Sequence, residues 1–303
     1  MSSYPSSLSP LTLGHHHCTL FCCPFFIIHQ PHHHDHFKHL ISSTLTEEDE
    51  DDDVEADEQG ASTKFFSSSG FEALNSRQKE QVHRYIDSLL EWNQRMNLTA
   101  VKEESEVMER HVEDSLSIIE PIRTSYLSHC GPSSENLNLV DVGSGAGLPG
   151  VILAIASPGW KVTLLESMNK RCSFLEHVVS EIGLSNVQVK RERAEKLGQD
   201  VNFRESFDVA VARAVAEMRI LAEYCLPLVR TGGIFVAAKG HDPQEEVQRA
   251  ERAIQLMGAS LLQIRCVDSH SKHGQRTAII CLKGKPTSKK YPRDPGTPAK
   301  DPL

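Results

Sequence analysis

Residues Leu139–Gly150 form a glycine-rich segment that constrains the fold more than any other part of the sequence. The apolar stretch Leu139–Val142 leads into a turn that contains Gly143, Gly145 and Gly147. Glycine adopts positive φ and lets a ligand approach the backbone closely. A helix that follows such a turn offers free N–H groups and the positive end of its dipole. The segment therefore predicts the first strand, turn and helix of an α/β sheet that holds a nucleotide-like ligand at the carboxyl end of the strand.

Two glycine spacings overlap in this turn, and they indicate different ligands. Gly145-x-Gly147-x-x-Gly150 fits the dinucleotide fingerprint, which favours a nicotinamide- or flavin-binding enzyme. Asp141-x-Gly143-x-Gly145-x-Gly147 places an acid inside the strand and three glycines at alternate positions, and this pattern resembles the cofactor loop of class I S-adenosylmethionine methyltransferases. The spacing alone leaves the choice between the two ligands open.

Strands and helices alternate along the chain from Leu139 onward. Helical segments separate the first six predicted strands, which is the signature of a doubly wound, mostly parallel α/β sheet. The last two strands have only a short connection between them, so they must pair antiparallel. We therefore predict a Rossmann-like, seven-stranded sheet with one antiparallel edge strand, which matches class I methyltransferases better than a dinucleotide-binding domain. The predicted strands are 139–142, 161–165, 187–190, 207–211, 233–238, 260–267 and 276–282.

Composition divides the chain into five predicted segments. They are an N-terminal extension (1–70), a helical subdomain (71–127), a polar linker (128–138), the α/β domain (139–284) and a basic, proline-rich tail (285–303). The helical subdomain contains two amphipathic helices with apolar residues at three-to-four spacing. The first follows a cap at Asn75 or Ser76 and buries Val82, Ile86, Leu89, Leu90 and Trp92. The second starts at Ser105 and buries Val107, Met108, Val112, Leu116 and Ile119.

The N-terminal extension carries the net charge of the whole chain. Residues 1–70 contain 2 Lys and 11 Asp or Glu, which gives a net charge of −9, whereas residues 71–303 have a net charge of 0. The extension is rich in histidine before Leu40 and acidic from Glu47 to Glu58, which indicates a low-complexity tract outside the fold. Its first 34 residues contain no acid and many Ser and Thr, as in an organelle transit peptide, although they also lack Lys and Arg. The charge therefore does not argue against a nucleic-acid substrate for the folded part.

Apolar runs and cysteine spacing exclude other classes of protein. The sequence contains no run of 18 apolar residues, so we expect no transmembrane helix and no membrane partner. The eight cysteines are scattered without a C-x-x-C pair, which favours reduced thiols inside the cell over a disulfide framework or a zinc site. We expect no metal and a monomer.

Acidic side chains follow the second and third predicted strands. Because sites in doubly wound sheets lie beyond the carboxyl ends of the strands, these positions are candidates for ligand contacts. Glu166 can accept both ribose hydroxyls, and this serves a nicotinamide dinucleotide and adenosylmethionine alike. Ala194 and Glu195 after the third strand could flank an adenine ring and meet its amino group, or simply start a helix, where an acid is favourable.

Basic side chains follow the fourth and fifth predicted strands. Arg213 ends a strand with an apolar core side, so its guanidinium must face a cleft or be buried at a cost. Lys239 ends the neighbouring strand. Each could form a structural ion pair, but together they favour an anionic substrate such as a nucleic-acid phosphate, or the O6 atom of guanine.

Two catalytic devices of other nucleic-acid methyltransferases are absent from the sequence. No Asn/Asp-Pro-Pro-aromatic motif follows the fourth strand, and no Pro-Cys or Thr-Cys ends a strand. A target that needs neither device is a ring nitrogen with a free lone pair, such as guanine N7. Because N7 carries no proton, positioning and electrostatics would suffice for catalysis.

These residues together resemble one family, the bacterial-type small-subunit ribosomal RNA guanine-N7 methyltransferases (RsmG, or glucose-inhibited division protein B). The resemblance covers about residues 71–303 and depends on several short motifs rather than on any one of them. They are Trp92-Asn93 with Asn97-Leu98-Thr99, Arg110-His111 with Asp114-Ser115, Asp141–Gly150, Lys170-Arg171, Ala212-Arg213-Ala214, Lys239-Gly240 and the basic tail from Tyr291. An acid that is often Asp in the family is Glu166 here.

The resemblance implies a cofactor, a substrate and roles for individual residues. The cofactor is S-adenosyl-L-methionine, and the partner is small-subunit ribosomal RNA or the ribosomal subunit. The residues expected at the cofactor, from the glycine loop and the resemblance together, are Asp141, Gly143, Gly145, Gly147, Leu148, Glu166, Ala194, Glu195 and Arg213. Arg193, Arg213 and Lys239 are expected to support RNA binding or transfer. The extension, which typical bacterial members lack, favours a plastid form, with a mitochondrial or cytoplasmic location as the alternative.

The sequence supports further predictions about the C-terminal tail, about His111 and about competing functions. The prolines of the tail forbid a helix, and its cations (Lys283, Lys285, Lys289, Lys290, Arg293 and Lys300) favour an arm along RNA phosphates over a disordered, solubilising end. We interpret His111 as a hydrogen-bonded helix histidine rather than a site residue. The competing functions are a nicotinamide-dependent oxidoreductase and a non-catalytic RNA-binding or ribosome assembly factor.

Overall fold

A computed structural model describes residues 70–213, 215–267 and 276–303 of the chain. The chain divides into two units, Met1–Ser62 and Thr63–Leu303, and the described residues all belong to the second. The predicted extension at 1–70, except for Gly70, and the connection around 269–275 lie outside the described residues.

A seven-stranded sheet forms the centre of the described region, and all seven predicted strands are present. The strands are β1 (Asn138–Val142), β2 (Lys161–Glu166), β3 (Val187–Arg191), β4 (Phe207–Arg213), β5 (Val229–Lys239), β6 (Ala259–Val267) and β7 (Arg276–Lys283). Their order is β3-β2-β1-β4-β5-β7-β6. Neighbouring strands from β3 to β5 pair parallel, and this confirms the doubly wound α/β fold.

The position of β7 corrects the prediction of an antiparallel edge strand. β7 pairs antiparallel with both β5 and β6, so it lies inside the sheet and β6 is the edge. The helix between β5 and β6 leaves one strand position open next to β5. The short return from β6 brings β7 into that position, because such a connection can only join antiparallel neighbours.

Helices cover both faces of this sheet. They are α1 (Ser76–Met96), α2 (Glu104–Val107), α3 (Asp114–Leu116), α4 (Ile119–His129), α5 (Gly150–Ala156), α6 (Asn169–Glu181), α7 (Ala194–Leu197), α8 (Met218–Cys225), α9 (Gln244–Leu256) and α10 (Thr297–Lys300). A π-helical turn, Met108–Glu113, joins α2 to α3. One apolar core lies between the sheet and helices α1, α5 and α6, and a second lies between the opposite face and helices α8 and α9.

Helix α1 has the cap and the buried face that its sequence predicts. The Asn75 side chain accepts a hydrogen bond from the Gln78 N–H, and the Gln78 side chain accepts one from the Asn75 N–H, both at 3.0 Å. Val82, Ile86 and Leu89 are fully buried, whereas Leu90 and Trp92, which were also predicted to be buried, are half-buried. Such a reciprocal capping box satisfies two of the free amides at the start of the helix.

The second predicted helix differs from the prediction in two ways. It is broken into α2, the π-helical turn, α3 and α4, with Val107, Val112 and Leu116 buried and Met108 and Ile119 half-buried. The last piece, α4, continues to His129 and so takes the first two residues of the predicted linker. Single π-helical turns inside helices occur frequently at functional sites.

The C-terminal tail is packed on the domain. Two predictions about it are wrong: that it contains no helix, and that Lys283 belongs to an exposed arm. Tyr291 is buried, and the Arg293 guanidinium pairs with the buried Glu223 carboxylate at 2.7 Å. The prediction that its prolines forbid a helix is wrong, because Pro298 lies in the first turn of α10, where a proline N–H is not needed. Lys283 is fully buried at the end of β7 and contacts Glu205, so it cannot belong to a solvent-exposed arm.

Candidate active site

The glycine loop after β1 is held by the backbone of β2. The N–H groups of Gly143 and Ser144 donate to the Leu165 carbonyl at 2.8 and 3.1 Å. Gly143 has a φ of +75°, and a Cβ atom there would lie 2.8 Å from the Val215 side chain. A larger residue at Gly143 would therefore be strained and would also displace Val215.

Asp141 closes the start of the helix that follows the loop. Its side chain is fully buried, and its Oδ2 atom accepts a hydrogen bond from the Gly150 N–H at 3.0 Å. Its Oδ1 atom has no hydrogen-bond partner. Burial raises the pKa of the Asp141 carboxyl to about 6. An acid of the protein itself thus lies at the helix start that a pyrophosphate would face in a dinucleotide site.

Glu166 lies at the end of β2 and binds the loop from the other side. Its Oε2 atom accepts from the Gly145 N–H at 3.0 Å, and its Oε1 atom accepts from the Met168 N–H at 2.8 Å. The side chain is 4% exposed. Each carboxylate oxygen has a second lone pair, so both can accept a further hydrogen bond from a ligand hydroxyl.

A first cavity, which we call the loop cavity, lies above these residues and has a volume of about 360 Å³. Its walls are the glycine loop, the end of β2 and the segment between α1 and α2. Residues that line it include Thr99, His111, Gly143, Gly145, Leu148, Glu166, Met168, Arg171, Arg213 and Val215. It brings together most of the residues that the sequence predicts at a cofactor. Asp141 and Gly147 support the loop without lining the cavity.

A second cavity, the basic cavity, lies beside the loop cavity and has a volume of about 250 Å³. It opens between the π-helical turn and the ends of β4, β5 and β7. Residues that line it include Arg110, His111, Asp114, Arg213, Lys239, Arg276 and Thr277. His111 and Arg213 line both cavities, so they form the boundary between them.

Arg213 and His111 form this boundary without a carboxylate partner for the arginine in the described part of the chain. The Arg213 guanidinium donates to the His111 carbonyl at 3.4 Å. Burial lowers the pKa of Arg213, which remains charged at neutral pH because its ordinary value is so high. The structure thus places Arg213 at a cleft, as expected from its position at the strand end.

His111 is hydrogen-bonded as predicted, and it also lies at the site. Its Nε2 atom is 2.8 Å from the Thr99 hydroxyl, and its Nδ1 atom is 3.1 Å from the Arg110 carbonyl. Burial and the nearby Arg213 lower the pKa of His111 to about 4. The imidazole is therefore neutral at physiological pH and adds no positive charge to the cavity boundary.

Lys239 lines the basic cavity with its ammonium group already bound. The Nζ atom donates to the Ala216 carbonyl and to a Glu246 carboxylate oxygen, both at 2.6 Å. The ion pair is largely buried, with the lysine side chain 13% exposed. This geometry favours the structural interpretation of Lys239, as a residue that fixes the end of β5.

Three predicted site residues, Arg193, Ala194 and Glu195, lie at the end of β3 and line neither cavity. Glu195 is 3% exposed, and its Oε1 atom accepts from the Gly296 N–H of the tail at 2.8 Å. The Arg193 Nε atom lies 3.6 Å from the other Glu195 oxygen. The predicted adenine side of the site is therefore attached to the C-terminal tail rather than open.

Reasoning from strand ends missed the residues that the helical subdomain contributes. Thr99, Arg110 and Asp114 precede the sheet in sequence, so no strand end marks them. The available signal was the short motifs around Asn97 and His111, which the family resemblance included without assigning roles. Tyr85, also missed, is buried and donates to the Ala146 carbonyl at 2.8 Å, which attaches α1 to the glycine loop.

The described residues contain neither a membrane-spanning helix nor a cluster of metal ligands. Over these ranges no helix combines the length and the apolar character needed to cross a bilayer. The same residues contain no cluster of three or more His, Cys, Asp or Glu side chains able to hold a metal ion.

Comparison with known proteins identifies the family. The chain is 43% identical over 230 residues to the ribosomal RNA small subunit methyltransferase G of Alkaliphilus metalliredigens, which covers 76% of this chain and 92% of that protein. The Staphylococcus epidermidis protein of the same name is 43% identical over 237 residues, or 78% of this chain and 95% of that protein. Among solved structures, the chain is similar in part to a fibrillarin pre-rRNA processing protein of Methanococcus jannaschii (TM-score 0.40, 18% identity, covering 50% of this chain and 68% of that one). A family model described as "GidB: rRNA small subunit methyltransferase G" matches residues 78–276, and the chain therefore belongs to this family.

Proposed function

We propose that this protein transfers a methyl group from S-adenosyl-L-methionine to N7 of a guanine in small-subunit ribosomal RNA. The observation that carries the proposal is the pair of cavities that meet at Arg213 and His111. One cavity has the glycine loop and the ribose-type acid of a nucleoside-binding site. The other has cationic walls suited to a nucleic-acid substrate.

The loop cavity fits adenosylmethionine by its shape and its donor set. Gly143, Gly145 and Leu148 would hold the cofactor against the loop, and Glu166 would accept hydrogen bonds from its ribose. When bound, this cofactor supplies a methyl group on a positively charged sulfur. The bond between Asp141 and the Gly150 amide argues against a nicotinamide dinucleotide, because a pyrophosphate would meet an acid at the helix start.

The chemistry at guanine N7 requires little from the protein beyond position and charge. N7 has a lone pair and no proton, so no side chain has to act as a general base. Arg213 remains positively charged at the boundary, and the neutral His111 ring adds no second charge there. Catalysis would then depend on holding the two reactants in line, which is worth many orders of magnitude in rate.

The RNA-binding surface would include part of the C-terminal tail. Lys285, Lys289, Lys290 and Lys300 are exposed, whereas Lys283 and Arg293 bind acids of the domain. Exposed lysines attract phosphate groups and give binding that weakens with salt.

Calorimetric titration with S-adenosylhomocysteine and, separately, NADH is the first test. We expect S-adenosylhomocysteine to bind and NADH not to bind. In a separate assay with tritiated S-adenosylmethionine, we expect the labelled methyl group to pass from the cofactor sulfur to small-subunit ribosomal RNA, which leaves S-adenosylhomocysteine. Binding of NADH alone would overturn the proposal in favour of an oxidoreductase. RNA binding without methyl transfer would favour the non-catalytic assembly factor.

Chemical cleavage at N7-methylguanosine then identifies the modified atom. Borohydride and aniline treatment cuts RNA where guanine carries an N7 methyl group, so a single new cleavage site is expected in treated RNA. Methyl incorporation without such a site would show that another atom is the acceptor.

We also infer that residues 1–70 direct the protein to plastids. The inference is supported by the position of this segment before the family match at residue 78, and by its acid-free first 34 residues. A fluorescent protein fused to residues 1–70 should enter plastids in plant cells. Accumulation in mitochondria or in the cytosol would contradict the inference.

A further inference from the structure

The cationic walls of the basic cavity divide into paired and unpaired side chains. The Lys239 ammonium binds Glu246 at 2.6 Å, and the Arg276 Nε atom binds Asp114 at 2.8 Å. Their charges are therefore largely compensated by the protein.

Among the described residues, two cations of this cavity have no carboxylate partner: Arg213, which lies at the boundary with the loop cavity and donates to the His111 carbonyl, and Arg110, which lies on the wall away from that boundary. The Arg110 guanidinium makes no hydrogen bond or ion pair with any residue that the structure describes, and its Nε atom is buried without an acceptor. Leaving a buried donor without an acceptor is unfavourable, and when such a group lines a cavity, a bound ligand is one way to satisfy it. Arg110 lies on the π-helical turn and lines the basic cavity but not the loop cavity.

The chemistry of purine edges indicates which base suits this wall. Guanine presents two acceptors side by side, N7 and O6, whereas adenine presents N7 next to an amino donor. If N7 faces the boundary with the loop cavity, the neighbouring exocyclic atom lies on the wall of the basic cavity. A guanidinium there would bind the O6 atom of guanine and would meet the amino group of adenine unfavourably.

We propose that the basic cavity is the guanine pocket and that the Arg110 guanidinium binds O6 of the target base. This assignment deepens the proposed function and rests on it. It makes Arg110 a residue that selects guanine over adenine, and it leaves Lys239 and Arg276 as residues that shape the pocket.

Arg110→Met tests the assignment, and Arg123→Met is the matched control. Arg123 also has a buried Nε atom without a partner, but it lies on α4 and lines neither cavity. The full chain would be assayed with tritiated S-adenosylmethionine on transcribed small-subunit ribosomal RNA and on subunits reconstituted from it. We expect Arg110→Met to lower kcat/KM for the RNA by about 10- to 100-fold, with the Kd for S-adenosylhomocysteine unchanged within about twofold. Arg123→Met should leave both values unchanged.

Arg110→Lys and a salt series separate base recognition from other roles. Lysine keeps the charge but not the planar fork, so it should restore only part of the lost activity. The dependence of KM on salt should be the same in Arg110→Met and wild type, because a base contact releases no counterion. A slope smaller by about 0.7–0.9 would assign Arg110 to a phosphate and overturn the proposal.

Other outcomes would contradict either the pocket assignment or the proposed function. Arg110→Met with wild-type kcat/KM, or with weakened S-adenosylhomocysteine binding, would overturn the pocket assignment. Thermal unfolding of each variant identifies any that is misfolded, and in that case Arg110→Lys becomes the deciding variant. Wild-type protein that transfers no methyl group to either RNA would instead contradict the proposed function, and the pocket assignment would fall with it.

Discussion

Asp141 shows how one buried acid can shape a site and cost stability at the same time. Its carboxylate accepts a single hydrogen bond, from Gly150, and its other oxygen has no partner. The position of an acid inside the first strand was predictable from the sequence. Its pairing with an amide nine residues later was not, because that contact exists only once the glycine turn has folded back.

Asp141→Asn should change how stability depends on pH. The pKa of Asp141 is about 6 in the folded protein, above the ordinary value of 3.8. Between these values the folded chain binds more protons than the unfolded chain, so this residue makes the unfolding free energy decrease as pH rises. A rise of the pKa from 3.8 to about 6 corresponds to roughly 3 kcal/mol. In urea unfolding between pH 4 and 7, wild type should lose about that much more stability than Asp141→Asn, and equal pH profiles would show that the carboxyl is not perturbed.

Lys239 illustrates a residue whose position was predictable and whose surroundings were not. Its place at the end of a strand follows from the apolar run before it. Glu246, its partner, lies on the next helix, and strand periodicity contains no information about which helix residue faces back. The packing of α9 on β5 brings Glu246 to Lys239. No described residue pairs with the Arg110 guanidinium in this way.

At the scale of elements, the sheet was predictable strand by strand, but its order was not. Apolar runs and turn residues located all seven strands to within a few residues. The lateral order depends on where the last hairpin returns, and the sequence shows only that the connection is short. The π-helical turn was also hidden, because Met108, Val112 and Leu116 follow one another at a spacing of four residues, as in an α-helix.

The folded tail is an element whose contribution to stability can be measured directly. Arg293 donates two hydrogen bonds to Glu223 through Nε and one through Nη2, and the Glu223 side chain is 1% exposed. Arg293→Met would leave Glu223 as an uncompensated buried charge, which typically costs about 3–5 kcal/mol. We expect a loss near the lower end, because Arg293 itself is partly exposed. Urea unfolding at pH 7 is the measurement.

Two further variants test whether the loss of stability comes from the Arg293–Glu223 ion pair. Lys300→Met changes an exposed cation of the same segment and should alter the unfolding free energy by less than about 0.5 kcal/mol. Arg293→Met combined with Glu223→Gln removes the uncompensated charge and should recover part of the loss. If Arg293→Met is no less stable than Lys300→Met, the tail contributes little to the fold.

At the scale of the whole molecule, the site depends on parts that are far apart in sequence. The helical subdomain contributes Arg110 and His111, the sheet contributes the glycine loop and Arg213, and the tail binds Glu195. A family resemblance could indicate that these motifs belong together. The fold is needed to show which of these residues meet at a common boundary, because contacts between distant segments do not follow from the local sequence.

The extension and the remainder of the chain differ sharply in net charge. Residues 1–70 have a net charge of −9 and residues 71–303 a net charge of 0. RNA should therefore bind more tightly to a chain that lacks residues 1–69 than to the full chain at about 50 mM salt. The difference should vanish near 0.5 M salt, where the screening length falls to about 4 Å.

The full chain with every acid in Glu47–Glu58 changed to its amide is the matched control, because it removes charge and keeps the segment. Filter binding to small-subunit ribosomal RNA across a salt series should give the same affinity for this variant and for the shortened chain. The Kd for S-adenosylhomocysteine should be equal in all three proteins, because the described residues that line the loop cavity lie between Leu98 and Val215. A difference in RNA affinity that persists at high salt, or that the amide variant fails to reproduce, would show that residues 1–69 act on RNA binding by something other than their charge.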